Sequence, residues 1–441
     1  MEQFKNKRIA VIGMARSGLA AAKVLAARGA HVSLYDSGAP EKLADALAWA
    51  KNARVAAHPA TDRVGDVDIV VTSPGVRRTA AVLVDANARG IPIWGEIEAA
   101  YRISKAPILA ITGTNGKTTT TALLGEMARA DGRETYVAGN IAAGDIAMPL
   151  IHAADKASPE ALIVAEISSF QLEWTPSFRP RVSAILNIAI DHLDRQTWDE
   201  YVSAKWNIAA HQNHGDVLVL RSDVPQPPIG AMSASGPETI YFDQEPRQEW
   251  MHEILLPGEH NIENVLAASC MARAAGISPD AIQRAATTFA GVIHRLEWVA
   301  SVSGVRYINN SMCTNNVAFA RSLEAIPGPK IVLAGGVYKG GDMTDLIDAA
   351  TGDPSIRQLV LFGRSAPALE EAVRERGFDR VQRTGTLTEA FAAASALSRT
   401  GDTVILNPAC ASFDQFRDFE DRGDQFKQLV RNLAALDEEH T

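Results

Sequence analysis

Short unbroken apolar runs recur along the chain, each closed by a glycine-rich or acidic turn and followed by a helical period. Such runs mark strands buried on both faces, as in parallel sheets; a half-solvated strand would alternate instead. Arg8–Gly13 is the first run. A small-residue helix is expected over Ser17–Ala27, closed by Gly29, and a second strand over His31–Tyr35, ending at Asp36. Together they form a βαβ unit of the doubly wound kind. A further strand, Asp68–Thr72, runs into Ser73-Pro74-Gly75, and the block ends near Lys105-Ala106-Pro107.

The pattern then restarts. Ile108–Thr112 reads as a strand that enters a glycine turn and a helix, and further strands are expected at Ala161–Glu166 and Arg181–Ile188. Ser222–Gly236, rich in Pro, Ser and Gly, reads as an exposed loop, and Asn261–Ala274 as a helix. Gly291-Val292-Ile293-His294 is a candidate second hinge. The last block places strands at Val305–Ile308, Lys330–Ala334, Gln358–Phe362 and Thr403–Leu406. The predicted fold is therefore α/β in three domains, residues 1–105, 106–292 and 293–441, each an open sheet with its ligands at the carboxyl ends of the strands.

Composition narrows the function classes. Apolar residues make up 46% of the 441 and charged residues 22%, which excludes wholesale disorder. A net charge of −9 argues against general nucleic-acid binding, which needs a basic excess. Cys270, Cys313 and Cys410 lie far apart and are odd in number, so reduced thiols in a cytoplasmic protein are expected. No uncharged apolar run approaches a membrane span. Lys5, Lys7 and Arg8 before an apolar stretch imitate a signal peptide, but Arg16 and Lys23 interrupt that stretch.

The strongest chemical signal is Gly113-Thr114-Asn115-Gly116-Lys117-Thr118-Thr119, between a strand and a helix. Glycines let backbone N–H groups face phosphate oxygens, and the helix N-terminus adds its positive end. Lys117 can reach the outer phosphates, and Thr118 or Thr119 can ligate Mg²⁺. The loop is shorter than the usual phosphate loop, and a plain glycine turn with a chance lysine is the competing reading. The first block carries a weaker turn, Gly13-Met14-Ala15-Arg16-Ser17-Gly18, with Asp36 beyond it. It approximates a dinucleotide fingerprint, so a nicotinamide oxidoreductase and a ligand-free turn are rival readings. Glu166 and the run Asp191-His192-Leu193-Asp194 follow central strands, and carboxylate and imidazole near a phosphate loop suit a Mg²⁺–ATP site. Lys205 by itself reads as a solvated helix lysine.

Taken in order, Thr112–Thr119, Glu166–Leu172, Asn187–Arg195, Gly258–Ala268 and His294-Arg295 resemble the Mur ligases of peptidoglycan synthesis. Asn407–Phe416 and Phe419–Gly423 are similar to the glutamate-adding branch of that family. The resemblance implies a Rossmann-like UDP-binding domain, a central P-loop ATPase-type domain and a Rossmann-like amino-acid domain. It implies ATP and Mg²⁺ as cofactors, UDP-N-acetylmuramoyl-L-alanine and glutamate as substrates, and a monomer. On that basis Arg16, Ser17, Asp36, Ser73, Gly75 and Asn140 would line the UDP-sugar site. Lys117 would hold the γ-phosphate. Thr118 and Glu166 would serve one magnesium ion, and His192 a second. Lys205 would be the family's carbamylated lysine. Asn261 and Asn264 would approach adenine, and Arg295 the phosphates. Thr314, Lys339, Ser412 and Phe419 would surround the amino acid.

Three positions depart from the family pattern. The stretch Asp-Ser-Lys-x-Thr-Asn is here Asn310-Ser311-Met312-Cys313-Thr314-Asn315, and Gly335-Gly336-Val337-Tyr338-Lys339 lacks the acidic residue before its lysine. Met312 removes a cation that would meet the glutamate carboxylate, a contact worth roughly 1.5–3 kcal/mol. L-glutamate, another amino acid, or a non-catalytic nucleotide-binding homologue are the corresponding alternatives.

Overall fold

The computed structural model describes residues 4–38, 43–59, 61–140, 148–189, 196–228, 230, 232, 235–256, 258–338 and 343–438. The chain builds three sheets in sequence order. The first holds β1 (Arg8–Ile12), β2 (His31–Asp36), β3 (Ala56–Pro59), β4 (Ile69–Thr72) and β5 (Ile93–Gly95), in the order β3-β2-β1-β4-β5. All pairs are parallel. β1 is buried from Ile9 onward, as its unbroken apolar run requires. The order reverses between β1 and β4, which opens a crevice at their carboxyl ends.

The second sheet holds β6 (Ile108–Thr112), β7 (Thr135–Gly139), β8 (Leu162–Glu166), β9 (Val182–Ile185), β10 (Val217–Leu220) and β11 (Glu238–Tyr241), in the order β11-β10-β9-β6-β8-β7. It too is wholly parallel. Its central strand, β6, feeds the glycine loop and the helix Lys117–Ala130. One apolar core, from Phe4 to Val224, runs through both sheets. Glu96 ties them further. It is fully buried at the start of the helix Glu96–Ile103 and accepts the Ile151 N–H at 2.9 Å, capping the helix Leu150–Lys156.

The third sheet holds β12 (Glu297–Val302), β13 (Val305–Asn309), β14 (Lys330–Gly335), β15 (Ile356–Phe362), β16 (Val381–Arg383) and β17 (Thr403–Ala409), in the order β12-β13-β17-β14-β15-β16. Separate apolar clusters cover its two faces. β12 is antiparallel to β13 through a two-residue hairpin whose Ser303 and Gly304 both have positive φ, 48° and 76°. β17 returns between β13 and β14, so the loops after these three strands share one crevice. The chain divides into two compact units. One is residues 1–252 with 262–287; the other is 253–261 with 288–441.

The expected strands all form, with shifted ends. Arg181–Ile188 shortens to Val182–Ile185, because Leu186–Ala189 turn away to meet the glycine loop. The helices expected at Ser17 and Asn261 begin at Arg16 and Glu259. The described part of Ser222–Gly236 contains neither helix nor strand. Among the described residues no helix is long and apolar enough to cross a membrane.

Candidate active site

The glycine loop is held open by its neighbours. Gly113 and Gly116 have φ of 153° and 81°, conformations that L side chains avoid. A Cβ at Gly116 would also overlap the side-chain oxygen of Asn264. The Thr114 N–H donates to the Asn187 carbonyl at 3.0 Å, and the Asn115 N–H to Asn187 Oδ1 at 2.8 Å. Thr114 Oγ1 lies 2.9 Å from the Tyr201 hydroxyl and accepts the Ala189 N–H at 3.0 Å.

Two ammonium groups converge under this loop. Lys117 Nζ donates to the carbonyls of Gly113 and Thr114, both at 2.9 Å. Lys205 Nζ donates to the same Gly113 carbonyl at 2.8 Å and lies 4.5 Å from the centre of the Tyr201 ring. Lys205 is buried, 2% exposed, which corrects its local reading as a solvated helix lysine. Its helix, Trp198–Trp206, starts at a capping box between Thr197 and Glu200, and this fixes the phase that turns Tyr201 and Lys205 to the loop.

Glu166 sits beside Ile111 in the β6–β8 register, at the mouth of the loop. Its Oε1 accepts from Asn140 Nδ2 at 3.0 Å, while its buried Oε2 has no hydrogen-bond partner among the described residues. A buried carboxylate oxygen without a donor is costly unless a cation meets it. Thr118 is buried at the first turn of the following helix. This oxygen-only donor set suits a hard divalent cation that keeps waters and phosphate oxygens as its other ligands. Among the described residues no three His, Cys, Asp or Glu side chains cluster to hold a metal on their own. Asn264 accepts from Thr120 Oγ1 at 3.3 Å. Thr119 is half-buried one residue further along the helix.

The first sheet's turn is built for close approach. A Cβ at Gly18 would overlap the Gly13 carbonyl, so the helix Arg16–Ala27 rests directly on the turn. Asp36 accepts the Met14 N–H at 2.6 Å and the Gly38 N–H at 2.7 Å, so both its oxygens brace the turn. Ser73 is buried and its N–H donates to the Ile12 carbonyl at 2.9 Å, across the β1–β4 switch point. Arg16 and Gly75 are exposed and Ser17 half-buried at the same end of the sheet. Asn140 follows β7 in the second sheet, where it donates to Glu166.

The second compact unit carries Asn261, Arg295, Thr314, Ser412 and Phe419. Asn261 and Ser412 are buried, Thr314 and Phe419 half-buried, and Arg295 exposed. Thr314 and Ser412 follow β13 and β17, at the shared crevice. The departures have structural consequences here. Asn310 is buried; its Oδ1 accepts the Leu296 N–H at 3.0 Å, and its Nδ2 donates to Ser322 at 2.7 Å and Asn407 at 2.8 Å. A carboxylate could not make those two donations. Val337 pairs with Ala411 as a short bridge, and Met312 is half-buried. His192 and Lys339 lie outside the described residues. Tyr201 and Asn187 were not among the expected site residues. The Tyr201–Lys205 spacing of one helical turn was the signal for the first, and Asn187 directly after a strand for the second.

Comparison with known proteins agrees with this layout. Residues 7–95 match the Mur ligase MurD-like N-terminal domain, 111–253 the Mur ligase middle domain and 294–410 the Mur ligase glutamate ligase domain. The UDP-N-acetylmuramoylalanine–D-glutamate ligase of Pelotomaculum thermopropionicum is 40% identical over 98% of this chain and 99% of its own. The enzyme of the same name from Caldanaerobacter subterraneus is 39% identical with the same coverage. Among solved structures, the UDP-N-acetylmuramate–alanine ligase MurC of Thermotoga maritima shares the fold at TM-score 0.52 and 17% identity, over 97% of this chain and 100% of its own. MurF of Acinetobacter baumannii does so at 0.51 and 18%, over 83% and 85%. With near-complete coverage by D-glutamate ligases and all three domains matched in order, this chain belongs to the MurD type of the Mur ligase family.

Proposed function

We propose that the protein joins D-glutamate to UDP-N-acetylmuramoyl-L-alanine at the expense of ATP. The observation that carries this reading is the convergence of Lys117 and Lys205 on the glycine loop beside the unpartnered oxygen of Glu166. Residues 1–105 take the UDP-sugar, through Arg16, Ser17, Ser73 and Gly75, with Asp36 shaping the turn. Residues 106–292 take ATP. Residues 293–441 take glutamate, through Thr314, Lys339, Ser412 and Phe419. A nicotinamide reading of the first turn is disfavoured, because the better nucleotide loop lies downstream at Gly113–Thr119.

A carboxylate is a poor acyl donor, so the acid must first accept a phosphoryl group. Lys117 exchanges its loop carbonyls for the γ-phosphoryl oxygens and neutralises their growing charge. The N–H groups at the first turn of Lys117–Ala130 hold the remaining phosphates. Thr118 and Glu166 would hold Mg²⁺, with His192 at a second ion, and a bound ion would draw charge from the phosphates. Asn264, beside Gly116, would approach the base. Lys205 would first lose a proton from its ammonium; the free amine then bonds CO₂ at Nζ and loses a second proton, leaving a carbamate anion that would be able to serve the same metals. The glutamate amine then attacks the acyl carbon, and phosphate departs.

Phosphate release with UDP-N-acetylmuramoyl-L-alanine, ATP and a panel of amino acids tests the reading. Release that depends on D-glutamate supports it. Release with a neutral or basic amino acid, and with neither glutamate enantiomer, would refute the glutamate assignment and make Met312 the mark of a changed substrate.

A further inference from the structure

Arg422 is the largest fully buried side chain among the described residues, 0% exposed. It has no carboxylate within ion-pair distance among the described residues; its hydrogen bonds all go to neutral acceptors. Nε donates to Ser311 Oγ at 2.9 Å, Nη2 to the Ser311 carbonyl at 2.8 Å, and Nη1 to the Cys410 carbonyl at 3.0 Å. Ser311 Oγ in turn donates to the Phe419 carbonyl at 2.7 Å. A Cβ built at Gly336 would sit 3.3 Å from Nη1, so the guanidinium also underlies the loop after β14.

One side chain therefore hydrogen-bonds the loops after β13 and β17 and lies close beneath the loop after β14. Ser311 adjoins Met312 and lies three residues before Thr314. Cys410 lies two residues before Ser412, and Phe419 closes the set. Burying an arginine this way is expensive, and packing alone would be met more cheaply by an apolar residue. Burial lowers the guanidinium pKa to about 10, which leaves it charged at neutral pH; the Asp414 carboxylate, beyond ion-pair distance, opposes that shift.

We propose that Arg422 is the positioning residue of the amino-acid crevice: it locks the three loops in register, and its unneutralised charge draws a dicarboxylate where Met312 supplies no cation. It does not touch the amino acid; it acts through Ser311, Cys410 and Gly336. The inference rests on the assignment of glutamate to this crevice.

The test compares Arg422→Lys, Arg422→Gln and Ser311→Ala with wild type, using phosphate release against D-glutamate, glutamine and ATP, with circular dichroism to confirm folding. Glutamate-dependent turnover by wild type secures the underlying reading first; its failure would remove that reading, separately from Arg422. Arg422→Gln should raise the KM for D-glutamate about ten- to a hundredfold and narrow the preference for glutamate over glutamine, with the KM for ATP within about twofold. Arg422→Lys should recover part of that preference. Should neither arginine variant fold, Ser311→Ala, which keeps the charge and loosens the loops, should still raise the KM for glutamate and leave that for ATP. Folded variants with an unchanged KM for glutamate, or with both KM values raised equally, would overturn the proposal.

Discussion

Lys117 and Lys205 donate to the same atom, the carbonyl oxygen of Gly113, at 2.9 and 2.8 Å. The shared carbonyl brings the two amines together at the mouth of the glycine loop. Lys117 can leave that carbonyl for a triphosphate, which the N-terminus of the helix Lys117–Ala130 also favours. Lys117→Ala should cut ligation by about three orders of magnitude or more while the far-ultraviolet spectrum and melting temperature stay close to wild type. A folded mutant with near-normal turnover would remove the phosphate-loop assignment.

Lys205→Ala tests the second ammonium. It should be nearly inactive, and short carboxylic acids should restore part of the activity by replacing the lost carbamate. Restoration by amines instead would show that the group works as a cation and not as a carbamate.

Gly116→Ala separates backbone geometry from charge. The added methyl meets Asn264 and the residue must hold φ of 81°, a combined cost of roughly 2–4 kcal/mol in whichever state keeps the loop shape. ATP binding measured by calorimetry should fall by more than tenfold. Gly132→Ala, with a similar φ of 78° and open space around it, should leave ATP binding unchanged.

How much of this was legible beforehand differs by element. The unbroken apolar strands and the glycine loop were readable, because burial on both faces and phosphate cradling each leave a local pattern. The edge strands Glu238–Tyr241 and Val381–Arg383 were not, since half-exposed edges carry little apolar signal. The hairpin at Ser303-Gly304 was not anticipated, because its first strand, Glu297–Val302, is half-exposed and carries little apolar signal. Arg422 lay within a quoted motif, yet its burial depends on three loops that meet only in the folded chain. Lys205 was misjudged locally for the same reason: only its helix phase buries it.

Glu96 makes stability depend on pH. Burial raises its carboxyl from 4.5 to about 7, so the folded state holds a proton that the unfolded chain has released. The resulting stability is complete below pH 4.5 and is lost as pH rises to about 7, an effect of about 3 kcal/mol. Glu96→Gln keeps the acceptor for Ile151 and removes the titration. Its melting temperature should therefore vary less between pH 5 and pH 8 than that of wild type. Parallel pH profiles would show that Glu96 is not the titrating group.

Met312→Lys restores a cation at the crevice that the family pattern places there. The KM for D-glutamate should fall by about threefold to tenfold, with that for ATP unchanged. An increase would mean that this crevice has been rebuilt around the thioether.

The most direct test of the central claim is mass spectrometry of the product formed from UDP-N-acetylmuramoyl-L-alanine, ATP and Mg²⁺ with D- or L-glutamate in separate reactions. The account predicts one glutamyl residue added with the D-enantiomer and stoichiometric ADP and phosphate. Product only with L-glutamate, or ATP hydrolysis without product from either enantiomer, would contradict it.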